Sequence, residues 1–171
     1  MMINLFSAIQ SIKVPADDAL ISKAVHPFFR DALQTKVSQV QLSPSQLQYA
    51  IFHYLPNWVN GLMNLRNKLV GIFGFKVNQG NLIPQSDELM VGDQAGFLTV
   101  IEKSHTEIIS YAEDKHMAFY LSIKKQANTV IVSSLVNQKT LLGRIYVNAI
   151  LPFHYFIARI VINNAIKANR I

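Results

Sequence analysis

Four short runs of β-branched and apolar residues constrain the fold of this chain more than any other feature. They cover residues 97–102, 107–111, 117–124 and 129–136, with polar turns at 103–105, 113–115 and 126–128. Connections this short leave no room for a crossover helix, so neighbouring strands must pair antiparallel. The sequence therefore predicts an antiparallel meander in this part of the chain.

An earlier strand and a helix are indicated by local pattern. Residues 28–40 alternate apolar and polar side chains with the period of a half-buried strand. Ser43, Pro44 and Gln46 then have the types and spacing of a helix amino terminus, where side chains satisfy the first free amides. We expect this helix to end at Pro56, because proline disfavours helical backbone in the residue before it.

A second short helix and a long loop should follow. The helix is predicted from Asn57 to Gly74, where glycine can adopt the left-handed closing conformation. Residues 76–96 show little periodicity and predict a loop with one strand around 89–91. Loops of this length inside a compact domain are often functional.

The last stretch, residues 140–171, is predicted to be one long helix that Thr140 caps and Pro152 kinks. Its side chains are apolar nearly all round, so it should contact something on more than one face. The order of elements predicts an α+β, helix-grip fold: an antiparallel β-sheet wrapped around a long C-terminal α-helix, with two short helices after the first strand. We expect residues 1–171 to form a single domain, with a ligand cavity between sheet and helix.

Charge is divided unevenly along the chain. Residues 1–114 carry eight Lys or Arg and all ten Asp or Glu, whereas residues 115–171 carry eight Lys or Arg and no acid. A basic half can attract an anionic membrane surface, nucleic acid or an acidic small molecule, or it can simply be a soluble surface. No run of consecutive cations marks a phosphate-tracking stripe, so we expect no nucleic acid partner.

The location of the protein follows from what its sequence lacks. There is no cysteine, which fits a reducing compartment and excludes a thiol nucleophile. The apolar amino terminus has its cation, Lys13, after the apolar stretch, unlike a secretory signal. The most membrane-like stretch, residues 145–162, is interrupted by polar residues and proline. We therefore expect a cytoplasmic protein with this stretch as a buried helix.

Several segments resemble an uncharacterised bacterial family, domain-of-unknown-function family 2867, which we associate with the START-like (helix-grip, SRPBCC) superfamily. They are residues 29–32, 58–70, 73–76, 96–97, 113–116, 143–146 and 152–154, so the likeness extends over about residues 28–160. The resemblance implies a helix-grip fold and a cavity. It implies no activity and carries over no catalytic residue.

The polar candidates for a site are few. Glu113, Asp114 and His116 lie together at a turn, where a carboxylate beside an imidazole can form an acid/base pair, although an ordinary polar turn has the same composition. Arg66 could bind an anionic headgroup, or form a salt bridge to Asp31 or Asp93. The five histidines lack metal-ligand spacing, and no phosphate loop or nucleophile elbow occurs, so we expect neither metal nor cofactor.

Three hypotheses for function follow. The first is a non-enzymatic protein that binds a small hydrophobic or amphipathic molecule, with a lining of Trp58, Arg66, Tyr111, His116, Tyr120, Tyr146, Phe153 and Phe156. The second is a cyclase- or hydratase-like enzyme, as in START-like relatives, with His116 or His154 as base and Asp114 orienting it. The third is a basic membrane-surface or partner-binding module. A homodimer is compatible with all three.

Overall fold

A seven-stranded antiparallel sheet and three α-helices make up the described part of the protein. The computed structural model describes residues 6–15, 17–72 and 83–171, without the side chains at 63, 65–70 and 72. In chain order the elements are β1 (Ile9–Ser11), a 3-10 helix (Ala19–Lys23), β2 (Phe28–Lys36), α1 (Pro44–Phe52), α2 (Asn57–Ile72), β3 (Gln94–Ala95), β4 (Leu98–Lys103), β5 (Glu107–Glu113), β6 (Met117–Gln126), β7 (Thr129–Gln138) and α3 (Leu141–Lys167).

The strands pair in the order β1-β2-β7-β6-β5-β4-β3, and every pairing is antiparallel. The predicted meander is β4 to β7. The earlier strand β2 pairs with the last strand, β7, and the register places Phe28 opposite Asn137 and Lys36 opposite Thr129. The predicted fold class, an α+β domain with an antiparallel sheet and a long C-terminal helix, is confirmed.

Two of the three predicted helix starts, those of α1 and α3, are capped by the expected side chains. The Ser43 hydroxyl accepts from the backbone N–H of Gln46, and the Gln46 side chain accepts from the backbone N–H of Ser43. At α3, the Thr140 hydroxyl accepts from the backbone N–H of Gly143 at 3.1 Å. These bonds satisfy amides that a helix leaves free, so each start is fixed by its local sequence.

The structure differs from the prediction in the long loop. No strand forms at 89–91; the Leu89 N–H donates to the Ser45 hydroxyl at 2.7 Å, and the Met90 N–H donates to the Asp93 carboxylate at 2.8 Å. Those amides are therefore unavailable to a sheet ladder. The strand β3 lies a few residues later, and the predicted helix end at Gly74 lies outside the described residues.

Each face of the sheet has its own apolar cluster. On the inner face, Leu33 and Ile123 pack in one cluster with Leu47 of α1 and Ile162 of α3. On the outer face, Leu20 of the 3-10 helix packs with Ile109 and Leu135. Since both faces are covered, both sets of alternating side chains in the central strands are apolar.

Helix α3 is long and apolar enough to span a membrane, judged by length and composition alone. Core helices of soluble proteins can have the same length and composition. Four side chains of α3 are buried against the domain: Val147, Val161, Ile162 and Ala165. The described part of the chain looks like a soluble domain. Only 17% of the most apolar 18-residue stretch of α3 is buried, however, so much of the helix surface faces outward.

Candidate functional site

The inner face of the sheet is closed at one end and open at the other. The strand register aligns one row of side chains across four strands, which we call the closed row, and all four members are buried: Leu33, Val132, Ile123 and Ile108. Helix α1 packs on β5 and β6, and the carboxyl-terminal half of α3 shares the same apolar cluster. This end of the core is filled by the protein's own side chains.

A second row on the same face behaves differently. It lies toward the amino-terminal half of α3, and all four members are partly exposed; we call it the open row: Phe29, Val136, Phe119 and Ala112. Positions at the middle of a seven-stranded sheet, on the face that a helix covers, are normally among the most buried. Phe119 and Ala112 pack part of their surface against the inner cluster, and the remainder, like part of Phe29 and Val136, stays accessible at this end of the inner face.

Aromatic rings surround the open row. The Phe29 ring meets the ring of His154 edge-on, with centroids 5.6 Å apart, and the ring of Tyr155 at 6.0 Å. On the other side, Phe119 stacks with Phe97 at 6.4 Å. Such a surface offers large contact area and favours an apolar or aromatic partner.

A carboxylate and an imidazole meet beside the open row. Asp31 of β2 lies two residues from Phe29 on the same strand face, and its Oδ2 is 3.1 Å from Nε2 of His154 on α3. Both side chains are largely buried, and Asp31 Oδ1 has no hydrogen-bond partner among the described residues. The pair holds the imidazole in one orientation and presents hydrogen-bonding capacity in an apolar setting.

The turn at residues 113–116 anchors the start of α3. Asp114 Oδ1 accepts from the backbone N–H groups of His116 (2.7 Å) and Met117 (2.9 Å), so this carboxylate closes the turn. The buried His116 ring contacts the Thr140 hydroxyl through Nδ1 at 2.9 Å. Because Thr140 also caps α3, this turn fixes where the helix begins. Asp114 was predicted to orient an imidazole, but its Oδ1 is engaged by backbone amides.

The aromatic candidates Tyr111 and Tyr120 lie on the outer face of the sheet. Their rings pair across β5 and β6 with centroids 4.7 Å apart, and Tyr120 packs against the cluster under the 3-10 helix. Burial raises the pKa of the Tyr111 phenol well above its usual range, and a hydrogen bond to Glu113 adds to this. A hydrogen bond from Lys139 lowers the pKa of Glu113. These two tyrosines therefore lie on the face of the sheet opposite to α3.

The other candidates are scattered over the helices. Trp58, Phe153 and Phe156 are largely exposed, and Tyr146 is partly exposed. The Arg66 side chain lies outside the described residues. Sequence reasoning missed Phe29, Phe119, Val136 and Ala112, whose common feature is a shared register position that no local pattern reveals. It also missed Asp31 as the partner of His154, which is 123 residues away.

A shallow groove of about 260 Å³ lies elsewhere, along α1 and the carboxyl-terminal residues. The Arg170 guanidinium lies over the Tyr54 ring there, 4.7 Å from its centroid, and burial lowers the pKa of Arg170. This groove is separate from the open row. Within the described part of the chain, no three His, Asp or Glu side chains converge as a metal site.

Fold and site together define a class: an α+β domain whose sheet is packed against a long C-terminal helix at one end and keeps accessible apolar surface at the other. A family model, described as "Protein of unknown function (DUF2867)", matches residues 24–161. The chain belongs to this family. No curated protein matches it, and no solved structure does.

Proposed function

We propose that the protein binds a small hydrophobic or amphipathic molecule at the open row, between the sheet and the amino-terminal half of α3. The observation that carries the proposal is the contrast along one sheet face: the closed row is buried, and the open row is partly exposed. An apolar ligand would gain roughly 25 cal/mol for each Å² of apolar surface removed from water there. Ligand sites are commonly concave and apolar with a few fixed polar groups.

The polar end of such a ligand has a counterpart beside the open row. Asp31 and His154 hold each other, and Asp31 Oδ1 keeps free acceptor capacity among the described residues. A ligand hydroxyl or amine could donate to that oxygen, because a buried acceptor without a partner costs free energy that a donor would recover. An amphipathic molecule therefore fits better than a pure hydrocarbon.

The finer classification is part of the same proposal. The sheet and C-terminal helix are compatible with the START-like (SRPBCC) superfamily, whose members form such an inner space. We place the protein in a bacterial cytoplasm, which the absence of cysteine suits.

Native mass spectrometry of freshly purified protein tests the proposal. We expect a fraction of the protein to carry an added mass of a small organic molecule. Ala112→Phe should remove this mass, because the new ring fills the open row, while the fold is kept. Ala168→Phe, an exposed position after α3, is the matched control and should retain the mass.

Two results would count against ligand binding. One is that wild-type protein carries no added mass and binds no medium-chain fatty acid when this is supplied. The other is that Ala112→Phe unfolds the protein, since this would mean that the row is packed against atoms rather than open.

A second candidate is an enzyme of the cyclase or hydratase kind in the same place, favoured by the Asp31–His154 pair. A carboxylate that orients an imidazole can serve a general base. The test compares the bound molecule in wild-type protein and in Asp31→Asn. A hydratase, or a cyclase that expels water, predicts masses that differ by one water, because only wild-type protein would convert the molecule. A cyclase that conserves mass predicts different chromatographic retention of the released molecules, so identical masses and identical retention would leave binding as the function.

A further inference from the structure

Helix α3 presents apolar side chains to solvent on the side away from the sheet, between Leu141 and Phe156. Leu141 is 72% exposed, Ile145 58%, Phe153 63% and Phe156 52%. Leu141, Ile145, Ala149, Pro152 and Phe156 follow at intervals of three or four residues, so they share one helix face, with Phe153 at its border. We call these six residues the α3 stripe. Contiguous exposed apolar surface of this kind marks an interaction site.

The charged side chains of α3 itself are all cations. Arg144 and Lys115 are exposed, and Arg159 lies on the same helix. No acid occurs from residue 115 to the end of the chain. Of the acids that approach this helix among the described residues, Glu113 pairs with Lys139 and Asp31 pairs with His154 on the sheet side. Asp114 Oδ1 accepts from two backbone amides of its own turn.

We propose that the α3 stripe docks the protein on the surface of an anionic membrane, with the helix lying in the plane of the interface. An apolar helix face with cations beside it is the pattern of interfacial helices: the apolar side chains enter the headgroup boundary while the cations meet lipid phosphates and carboxylates. This occupant matches both the apolar stripe and its basic surroundings.

A second copy of the chain fits the same surface less well. Two copies meeting through α3 would bring Arg144 and Arg159 toward the same cations, and the helix offers no acid to pair with them. A membrane-spanning α3 also fits less well, because Val147, Val161, Ile162 and Ala165 would have to leave the core. Peripheral docking leaves the fold intact.

Co-sedimentation with vesicles tests the docking surface. The vesicles contain phosphatidylcholine with about a third phosphatidylserine, and the comparison vesicles contain phosphatidylcholine alone. We expect binding to the anionic vesicles at low salt and weaker binding as salt screens the charges. Ile145→Ser/Phe153→Ser should lower the vesicle affinity by about tenfold or more, because two apolar side chains no longer enter the interface.

The control variant is Val40→Ser/Met90→Ser, which removes two comparably exposed apolar side chains outside α3, 52% and 61% exposed. It should bind as wild type does. Arg144→Glu should bind the anionic vesicles less tightly and retain its circular dichroism spectrum.

Several outcomes would overturn the proposal. One is that wild-type protein does not bind anionic vesicles at low salt, and another is that the stripe variant binds them as tightly as wild type does. A third is that wild-type protein forms a dimer that the stripe variant disrupts, while neither binds vesicles. A fourth is that alkaline carbonate fails to extract the bound protein from the vesicles. Ligand binding at the open row is measured separately by mass, so failure of one proposal leaves the other standing.

Discussion

Gly143 lies where α3 comes closest to the sheet, and its replacement by alanine probes that approach. A Cβ at this position would lie 2.3 Å from the carbonyl oxygen of His116 and 3.0 Å from the carbonyl carbon. The oxygen is held in place, because it accepts a hydrogen bond of 2.9 Å from the Lys139 N–H. The helix itself must therefore move to admit a methyl group.

The expected change in the free energy of unfolding combines three contributions. Overpacking against fixed backbone costs about 1–3 kcal/mol. A shifted helix start also weakens the Thr140 cap, which contributes about 1 kcal/mol. Replacing a helical glycine by alanine returns roughly 0.5–1 kcal/mol. We expect Gly143→Ala to lower the free energy of unfolding by about 2 kcal/mol.

The matched control is Gly61→Ala in α2, where an added Cβ meets nothing within 4 Å. The same substitution there should raise the free energy of unfolding by roughly 0.5–1 kcal/mol. Urea unfolding followed by circular dichroism measures both values. If Gly143→Ala stabilises the protein as Gly61→Ala does, α3 does not approach His116 as described.

Three further predictions concern charged and titrating groups. Arg30→Met should lower the free energy of unfolding by about 3 kcal/mol in urea, because it leaves the buried Asp18 carboxylate without its cation 2.8 Å away; a change below half of this would contradict a buried pair. His154→Ala should lower the free energy of unfolding by about 2 kcal/mol, because it removes the partner of Asp31. In a double-mutant cycle, the combined loss of His154→Ala/Asp31→Ala should be smaller than the sum of the two single losses, and a purely additive cycle would contradict the pairing. The folded pKa of Tyr111 is raised, chiefly by burial, so its contribution to stability is complete below the unfolded tyrosine pKa of about 10 and is lost as pH rises above it. Tyr111→Phe should therefore unfold at higher pH than wild type in an absorbance titration, and equal midpoints would refute this.

The sequence predicted well those parts of the fold that depend on neighbouring residues. Short turns required the meander, and the caps at Ser43 and Thr140 fixed two helix starts. The strand β1 was missed because it has only three residues, too few for alternation to show. The supposed strand at 89–91 failed because its amides bond to side chains instead.

The candidate site could be predicted only in outline. In β5, Ile108 and Ile109 point to opposite faces and are both buried, so alternation did not reveal which face α3 covers. Tyr111 and Tyr120, which we expected to line a cavity between sheet and α3, lie on the outer face of the sheet. The pairing of Asp31 with His154 depends on how α3 crosses β2, which no local pattern contains.

The central claim is that apolar surface stays accessible at one end of the inner face and not at the other. Val136 belongs to the open row and Val132 to the closed row, on the same face of β7. Methyl NMR of valine-labelled protein during titration with decanoate compares them directly. We expect saturable shifts of the Val136 methyl signals with little change at Val132. Unchanged Val136 signals at the highest decanoate concentration would contradict accessible apolar surface at the open row.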